Sequence, residues 1–361
     1  VSAAARPWPW LTGIASRLVE RDLVPDALIR QEIRRLLAKR LADEDAGSDE
    51  QNRVRKQHFV EQLKASPIAV ETHAANSQHY EVPSRFFELV LGKRLKYSSG
   101  LWLPDTNTLD QAEENMLERT AKCAEVADGQ RILELGCGWG SLSLYLAQQL
   151  PHSDIVGVSN SHSQREFIET HSALLGLKNL TILTADVNRF EAPGRFDRVV
   201  SVEMFEHMRN YELLFARVAA WMKPQAKCFV HVFTHARFAY RFEVCDASDW
   251  MAKYFFSGGL MPSRDLFSYF PHDLHILNQW EIDGRNYQRT ARAWLANLDA
   301  NRDEILQLFA ATYGSKFAGK EKQSEALRWV VRWRIFLMAC EELWGYHGGS
   351  EWAVTHYLFT Q

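Results

Sequence analysis

Five short apolar runs separated by helical patterns govern what the middle of this chain can fold into. They are Ile132-Leu133, Ile155-Val156-Gly157-Val158, Leu180-Thr181-Ile182-Leu183, Val199-Val200-Ser201-Val202 and Cys228-Phe229-Val230-His231-Val232. Runs that are apolar without alternation fit strands covered on both faces, so the series describes consecutive β-α units round a largely parallel sheet. The fold class is therefore α/β, with the sheet core spanning about 128–235. Three- and four-residue spacing predicts helix from about Trp10 to Leu63, broken by the polar loop Asp43–Asp49. An extended stretch round Thr72–Tyr80 follows, then a helix through Phe86–Leu91 and another over about 109–126. Beyond the core, Phe238–Tyr269 is irregular, Leu274–Asp283 and Trp352–Phe359 read as later strands, and helices are expected near 288–312 and 321–344. Three units result: 1–125, helical region and cap; 126–235, ligand-binding core; 236–361, cap insertions and final strands.

The first strand runs directly into Glu134-Leu135-Gly136-Cys137-Gly138-Trp139-Gly140, and a helix follows from Ser141 to Gln149. Alternate glycines let the backbone turn sharply and let a ligand approach main-chain N–H groups at a helix start. The pattern is G-x-G-x-G and lacks the third glycine of the dinucleotide fingerprint, which weighs against a nicotinamide cofactor. Ligands on open α/β sheets sit outside the carboxyl ends of the strands. There the second strand offers Asn160, suited to a ribose hydroxyl, and the third offers Asp186, suited to an adenine amino group.

Composition narrows the partners. Among 361 residues, 42 Lys and Arg stand against 45 Asp and Glu, a net charge of -3 that gives a nucleic acid no footprint. The five cysteines are odd in number and widely spaced, which suggests no disulfide framework and no metal site and fits a reducing, cytoplasmic setting. No run approaches a membrane span, and the stretch Val1–Arg6 with Trp8-Pro9-Trp10 does not read as a secretory signal. The aromatics are in excess, with 12 Trp, 11 Tyr and 20 Phe, so either the core or a pocket is rich in rings. Phe229, Phe233, Trp221 and Trp344 follow sheet or helix periodicity and are expected in the core.

The glycine loop together with Ser159-Asn160-Ser161, Gln164 and Asp186 resembles the class I S-adenosylmethionine-dependent methyltransferases, within the cyclopropane fatty acid synthase superfamily. Four further segments are similar to the coclaurine N-methyltransferase group of alkaloid-forming enzymes. They are Lys96-Tyr97-Ser98-Ser99, Val202-Glu203-Met204-Phe205-Glu206-His207-Met208, Tyr254–Ser263, and Gly345-Tyr346 with Glu351-Trp352 and His356-Tyr357-Leu358-Phe359. The likeness runs from about Asp22 to Gln361. It implies a Rossmann-like methyltransferase sheet with an N-terminal helical region and helical and aromatic cap insertions. It also implies S-adenosylmethionine as donor, leaving S-adenosylhomocysteine, held by Ser98, Gly136, Gly138, Asn160, Gln164, Asp186 and Val187.

The same resemblance carries over Glu203, Glu206 and His207 as catalytic and amine-binding positions. An ammonium has no lone pair, so a base beside the amine is useful. Either Glu206 or His207 can take the proton, and Glu203 is the candidate that attracts the cation; as structural groups, the two carboxylates would instead favour the following helix start. The cap brings Tyr80, Phe255, Phe256, Trp329 and Trp333 to the expected substrate pocket, with Tyr97 near them, where rings can enclose a flat amine and its charge. Where plant members of the group carry Tyr-Trp-Arg, this chain reads Arg332-Trp333-Arg334, so Arg332 is expected to pair a substrate carboxylate or phenolate, or to face solvent. His231 is expected either beside the site or as a core strand residue, and Cys137 as packing beside the ligand. The expected partners are a small-molecule amine and, for assembly, a second copy of the chain, with neither nucleic acid nor membrane. The chief rival is methyl transfer to unsaturated lipid acyl chains, whose bicarbonate chemistry uses a Tyr that Arg334-Ile335-Phe336-Leu337 does not offer. A binding protein without catalysis is the other; the intact glycine loop with Glu206-His207 argues against it.

Overall fold

The apolar runs become the first strands of one sheet. In chain order the strands are β1 (Arg131–Leu135), β2 (Asp154–Ser159), β3 (Leu180–Thr184), β4 (Phe196–Val202), β5 (Met222–His235), β6 (Tyr240–Arg241), β7 (Leu260–Met261), β8 (His275–Ile282) and β9 (Trp352–Thr360). This is a computed structural model, and it describes residues 18–70, 82–243, 254–256 and 258–361. The extended stretch with Tyr80, together with Cys245 and Ser257, lies outside the described residues. Seven strands join in the order β3-β2-β1-β4-β5-β9-β8. Pairing is parallel from β3 through β5, then antiparallel from β5 to β9 and from β9 to β8. The two strands expected after the core thus extend the same sheet. β6 and β7 form a separate short ribbon.

The helices are α1 (Asp26–Glu44), α2 (Asp49–Lys64), α3 (Ser84–Val90), α4 (Leu109–Cys123), α5 (Ser141–Gln149), α6 (His162–Leu174), α7 (Tyr211–Trp221), α8 (Arg285–Ala300), α9 (Arg302–Thr312) and α10 (Gly319–Gly345). Two boundaries differ from expectation for local reasons. The stretch expected at 288–312 is two helices, because the Asn301 amide turns back to the carbonyls of Leu89 and Asn297, each at 3.0 Å. The helix expected after β4 begins only at Tyr211, since Phe205–His207 is a single 3-10 turn, Met208 is extended, and the Asn210 side chain caps the Leu213 N–H at 3.0 Å.

Packing divides into two main bodies. One lies on the sheet face covered by α7 and includes Leu133, Val199, Phe205, Tyr211 and Phe215. The other is the cap, where Phe86, Phe87, Trp294, Trp333 and Phe336 pack with Trp139 of the glycine loop. Each such ring contributes about 2–3 kcal/mol on burial. The expectation for Phe229, Phe233, Trp221 and Trp344 holds: all four are buried. Arg334 ties the cap's outer side together, pairing with Asp26 and Asp299 at 2.9 and 2.6 Å.

The segment between α3 and α4 is set by one buried carboxylate. Glu113 of α4 accepts from the backbone N–H groups of Gly92 at 2.9 Å, Arg94 at 2.9 Å and Lys96 at 3.3 Å. A Cβ at position 92 would come within 2.7 Å of that carboxylate, so only glycine fits. Burial pushes the Glu113 pKa up to about 7, opposed by those N–H donors and by Lys96. Glu113→Ala leaves these N–H groups unpaired inside the protein and is expected to cost about 2–4 kcal/mol in urea unfolding. Glu113→Gln, which keeps one acceptor oxygen, should cost less. Wild-type stability in the alanine variant would show that the loop does not depend on this carboxylate.

Candidate functional site

A cleft of about 320 Å³ opens at the carboxyl ends of β1, β2, β3 and β4. Gly136, Gly138, Asn160, Gln164, Asp186, Val187, Glu203 and His207 all border it. The glycine loop has left-handed backbone at Gly136, Gly138 and Gly140, with φ of +79°, +53° and +82°. A Cβ at Gly136 would lie 2.8 Å from Met204, and one at Gly140 would lie 2.7 Å from Ile168. Gly138 differs: its Cβ would meet nothing within 4 Å, leaving room for a ligand against the main chain.

The next two strand ends add polar groups. After Asn160, Ser161 caps α6 by accepting the Gln164 N–H at 3.4 Å, and the Ser159 hydroxyl donates to the Gln164 side chain at 2.7 Å. One Asp186 oxygen accepts the Asn188 N–H at 2.8 Å. The Asp186 carbonyl accepts from the Phe190 N–H at 2.8 Å, which brings the Phe190 ring to the cleft wall. Hydrogen-bonding groups, apolar walls and the open side of Gly138 fit an S-adenosyl ligand. Cys137 is buried, and burial pushes its thiol pKa well up, so it is packing rather than a nucleophile.

Glu203 follows β4 in a left-handed conformation, φ +47°, an uncommon and strained state for a residue with a side chain. Its N–H donates to the His231 carbonyl at 2.8 Å. Its carboxylate accepts from the Tyr287 hydroxyl at 2.8 Å and faces His231 Nε2 at 3.3 Å. Burial raises its pKa to about 7, against the opposing charge of Lys96, the Tyr287 bond and the Ser99 N–H. Lys96 is itself buried, donating to the Ser98 hydroxyl and, at 2.9 Å, to the Ser99 carbonyl. Burial lowers the Lys96 pKa to about 8, with Glu203 and Glu113 resisting. Ser98 therefore sits against the lysine, outside the residues bordering the cleft.

Glu206 and His207 share the 3-10 turn but not the same surroundings. The Glu206 carboxyl is buried, and its Oε2 has no hydrogen-bond partner among the described residues. Burial, reinforced by Glu203, pushes its pKa well above the usual carboxylate value, which favours the neutral acid. His207 borders the cleft and stacks on Phe256, ring centroids 4.9 Å apart.

The remaining pocket candidates separate. Phe255 and Trp333 are fully buried in the cap, where Phe255 stacks on Phe336 at 4.4 Å and meets Trp333 edge-on at 5.0 Å. Trp329 stacks on Tyr313 at 4.3 Å. The Arg332 side chain is 12 % exposed and pairs with Glu20 at 3.0 Å, over the rings of Tyr254 and Trp329. Of the two expectations for Arg332, facing solvent is corrected by this burial, and its charge is paired with Glu20. The buried stripe of α10 runs through Ala326, Val330, Trp333 and Leu337, and positions 329 and 332 lie one residue round from it. Sequence reasoning missed Phe190 and Met204 in the cleft and Tyr287 on Glu203. An aromatic four residues past Asp186 was an available signal; nothing local marks Tyr287, which lies 84 positions from its partner.

Comparison with known proteins follows from this geometry. The family model for mycolic acid cyclopropane synthetase matches residues 69–326. The (S)-coclaurine N-methyltransferase of Thalictrum flavum subsp. glaucum is 38% identical over 343 residues, covering 94% of this chain and 93% of that enzyme. A crystal structure of coclaurine N-methyltransferase bound to N-methylheliamine and SAH superposes with a TM-score of 0.90 at 36% identity, covering 96% of this chain and 98% of that one. The cyclopropane-fatty-acyl-phospholipid synthase of Escherichia coli (strain K12) is 28% identical over 66% of this chain and 60% of its own length. The cleft predicts that Asp186→Ala weakens S-adenosylhomocysteine binding about tenfold or more, a loss of about 1.4 kcal/mol, in titration calorimetry. Unchanged affinity would remove Asp186 from the donor site.

Proposed function

The chain belongs to the mycolic acid cyclopropane synthetase family and, within it, to the coclaurine-type alkaloid N-methyltransferases, and from that premise we propose that it methylates the nitrogen of a small tetrahydroisoquinoline-type amine. It is an S-adenosylmethionine-dependent N-methyltransferase. The observation that carries the substrate reading is that Gly138, Asp186, Glu203 and His207 border one cavity, so a donor site and a pair of amine-handling groups share a single space. When bound, the donor supplies a methyl group on a positively charged sulfur, ready for in-line attack by a lone pair. What the chain adds is placement, deprotonation and exclusion of water.

Glu203, ionised and held by its donors, draws the cationic amine toward the end of β4. His207, at the cleft wall, takes the amine proton and frees the lone pair. The Phe256 ring fixes the plane of that imidazole. Glu206 waits as a neutral acid with one unpartnered oxygen, and a cation arriving beside it favours its ionised form. No helix among the described residues is long and apolar enough to cross a membrane. Cys123, Cys137, Cys228 and Cys340 are free thiols, which suits a cytoplasmic enzyme.

Labelled donor supplied with a panel of tetrahydroisoquinoline and benzylisoquinoline amines should methylate one of them; transfer only to liposomes of unsaturated phospholipid would overturn the proposal. With that amine, His207→Ala and Glu206→Gln are each expected to lower kcat about a hundredfold while leaving donor affinity near wild type. Near-normal turnover in both would remove His207 as the proton acceptor and Glu206 as the acid that ionises beside the cation. Glu203 acts as an anion, so activity falls on the acid side of its pKa, near 7. Lys96→Met removes the charge that opposes protonation of Glu203 and should move that acid limb upward by about one pH unit or more. An unmoved limb in kcat/KM against pH would show that the lysine does not set the charge of the site.

A further inference from the structure

A row of polar side chains runs from the site into the middle of the sheet. In the strand register Val202 lies beside His231, and His231 lies beside His356 of β9. Both imidazoles are completely buried. His356 Nε2 is 2.9 Å from His231 Nδ1, and His231 Nε2 is 3.3 Å from Glu203 Oε1. The far nitrogen, His356 Nδ1, has no hydrogen-bond partner among the described residues. Burial pushes both ring pKa values well below the usual imidazole value, with Lys96 adding to the effect at His231 and Arg119 and Lys96 at His356.

A neutral imidazole has one donor nitrogen and one acceptor nitrogen, so the row has only two polarities. In the first, Glu203 is an anion, His231 donates to it from Nε2, His356 donates to His231 from Nε2, and the orphan at the end is a lone pair. In the second every donor reverses, which requires Glu203 to carry the proton and leaves a buried N–H at His356 Nδ1 with no acceptor. Orphaned buried N–H groups are the rarer and costlier kind. The first polarity therefore wins, and it is the one that keeps Glu203 charged.

We propose that His356 is a positioning residue of the methyl-transfer site, fixing through His231 the ring tautomer that holds Glu203 as an anion. This rests on the function proposed above. Other groups also face Glu203: Lys96 and the Ser99 N–H from the segment before α4, Tyr287 of α8, Cys340 of α10, and Glu206 in the same turn. Arg119 of α4 faces His356, and the Phe229 ring meets it edge-on at 4.9 Å. Among the described residues, His356 is the hydrogen-bond partner of His231 Nδ1, and in the first polarity it is the donor. Without it, His231 is free to move its proton to Nδ1 and present a lone pair to Glu203, which then favours the protonated acid.

The test is the pH profile of turnover with His356→Leu and His356→Gln, whose side-chain nitrogen replaces imidazole Nε2. His356→Leu is expected to move the acid limb up by about one pH unit, close to a tenfold loss of kcat on that side, with S-adenosylhomocysteine affinity retained. His356→Gln should restore most of the wild-type profile. A wild-type limb in the leucine variant, or a glutamine variant that behaves as the leucine one, overturns the proposal. Nitrogen-15 spectra of the histidine-labelled wild-type protein give a readout that needs neither variant nor amine. Well above the acid limb, where Glu203 is ionised, His231 and His356 should both be neutral Nε2–H tautomers, and an Nδ1–H tautomer at His231 there overturns the proposal. Should the amine panel yield no product, the function proposal fails while the spectra still decide this one.

Discussion

Taking a carboxylate out of water costs several kcal/mol unless donors replace its hydration, and Glu203 is buried at the point where that cost shapes the rest of the molecule. What replaces it comes from distant parts of the chain: the Ser99 N–H and the charge of Lys96 from the segment before α4, His231 from β5, and the Tyr287 hydroxyl from α8. Sheet and cap are therefore not independent layers that happen to touch. Each supplies a hydrogen bond or a charge that the other cannot do without, and the left-handed turn at Glu203 is the strain that brings the carboxylate to them. Lys96 is held in turn by the loop that Glu113 organises, so three buried ionisable groups stabilise one another in sequence.

The sheet was legible because its signals are local. Short apolar runs form the strands in place, and Gly136 and Gly138 of the first β-α turn, with Asn160 and Asp186 at strand ends, each border the cleft at their own strand's end. Glu203 and His207 were reachable for the same reason, as both follow β4 directly. What could not be read were contacts made by returning chain. Nothing near Tyr287 marks it as a partner of Glu203, and His356 sits in an apolar strand where a histidine looks like ordinary core. The aromatic excess divided in a way that composition cannot foresee. Phe256 reaches His207, whereas Trp333 and Phe255 pack the cap, and Arg332 is committed to Glu20 by its place one residue round α10.

The cap's aromatic packing bears on the site through Trp139. This residue belongs to the glycine loop, yet its ring packs 5.1 Å from Phe87 and 5.3 Å from Phe167. Phe87 in turn meets Trp333 edge-on at 6.3 Å. The glycine loop bordering the cleft is thus held between α3, α6 and α10 by rings in contact, and close-packed interiors transmit displacement rather than absorb it.

The place of β9 in the sheet imposes an order on how the molecule comes to exist. Residues 352–360 lie between β5 and β8, so β8 is made earlier yet has nothing to pair with until β9 arrives. On the ribosome, the parallel strands β1 to β5 can assemble while the outer edge of β5 stays bare and His231 lacks its neighbour. The donor cleft is formed by residues that have long since emerged, whereas the groups that set its charge are completed by some of the latest. The residues that border the cleft all precede position 259, whereas the imidazole beside His231 belongs to the last strand, so the buried polar row is the part of this site that the chain completes last.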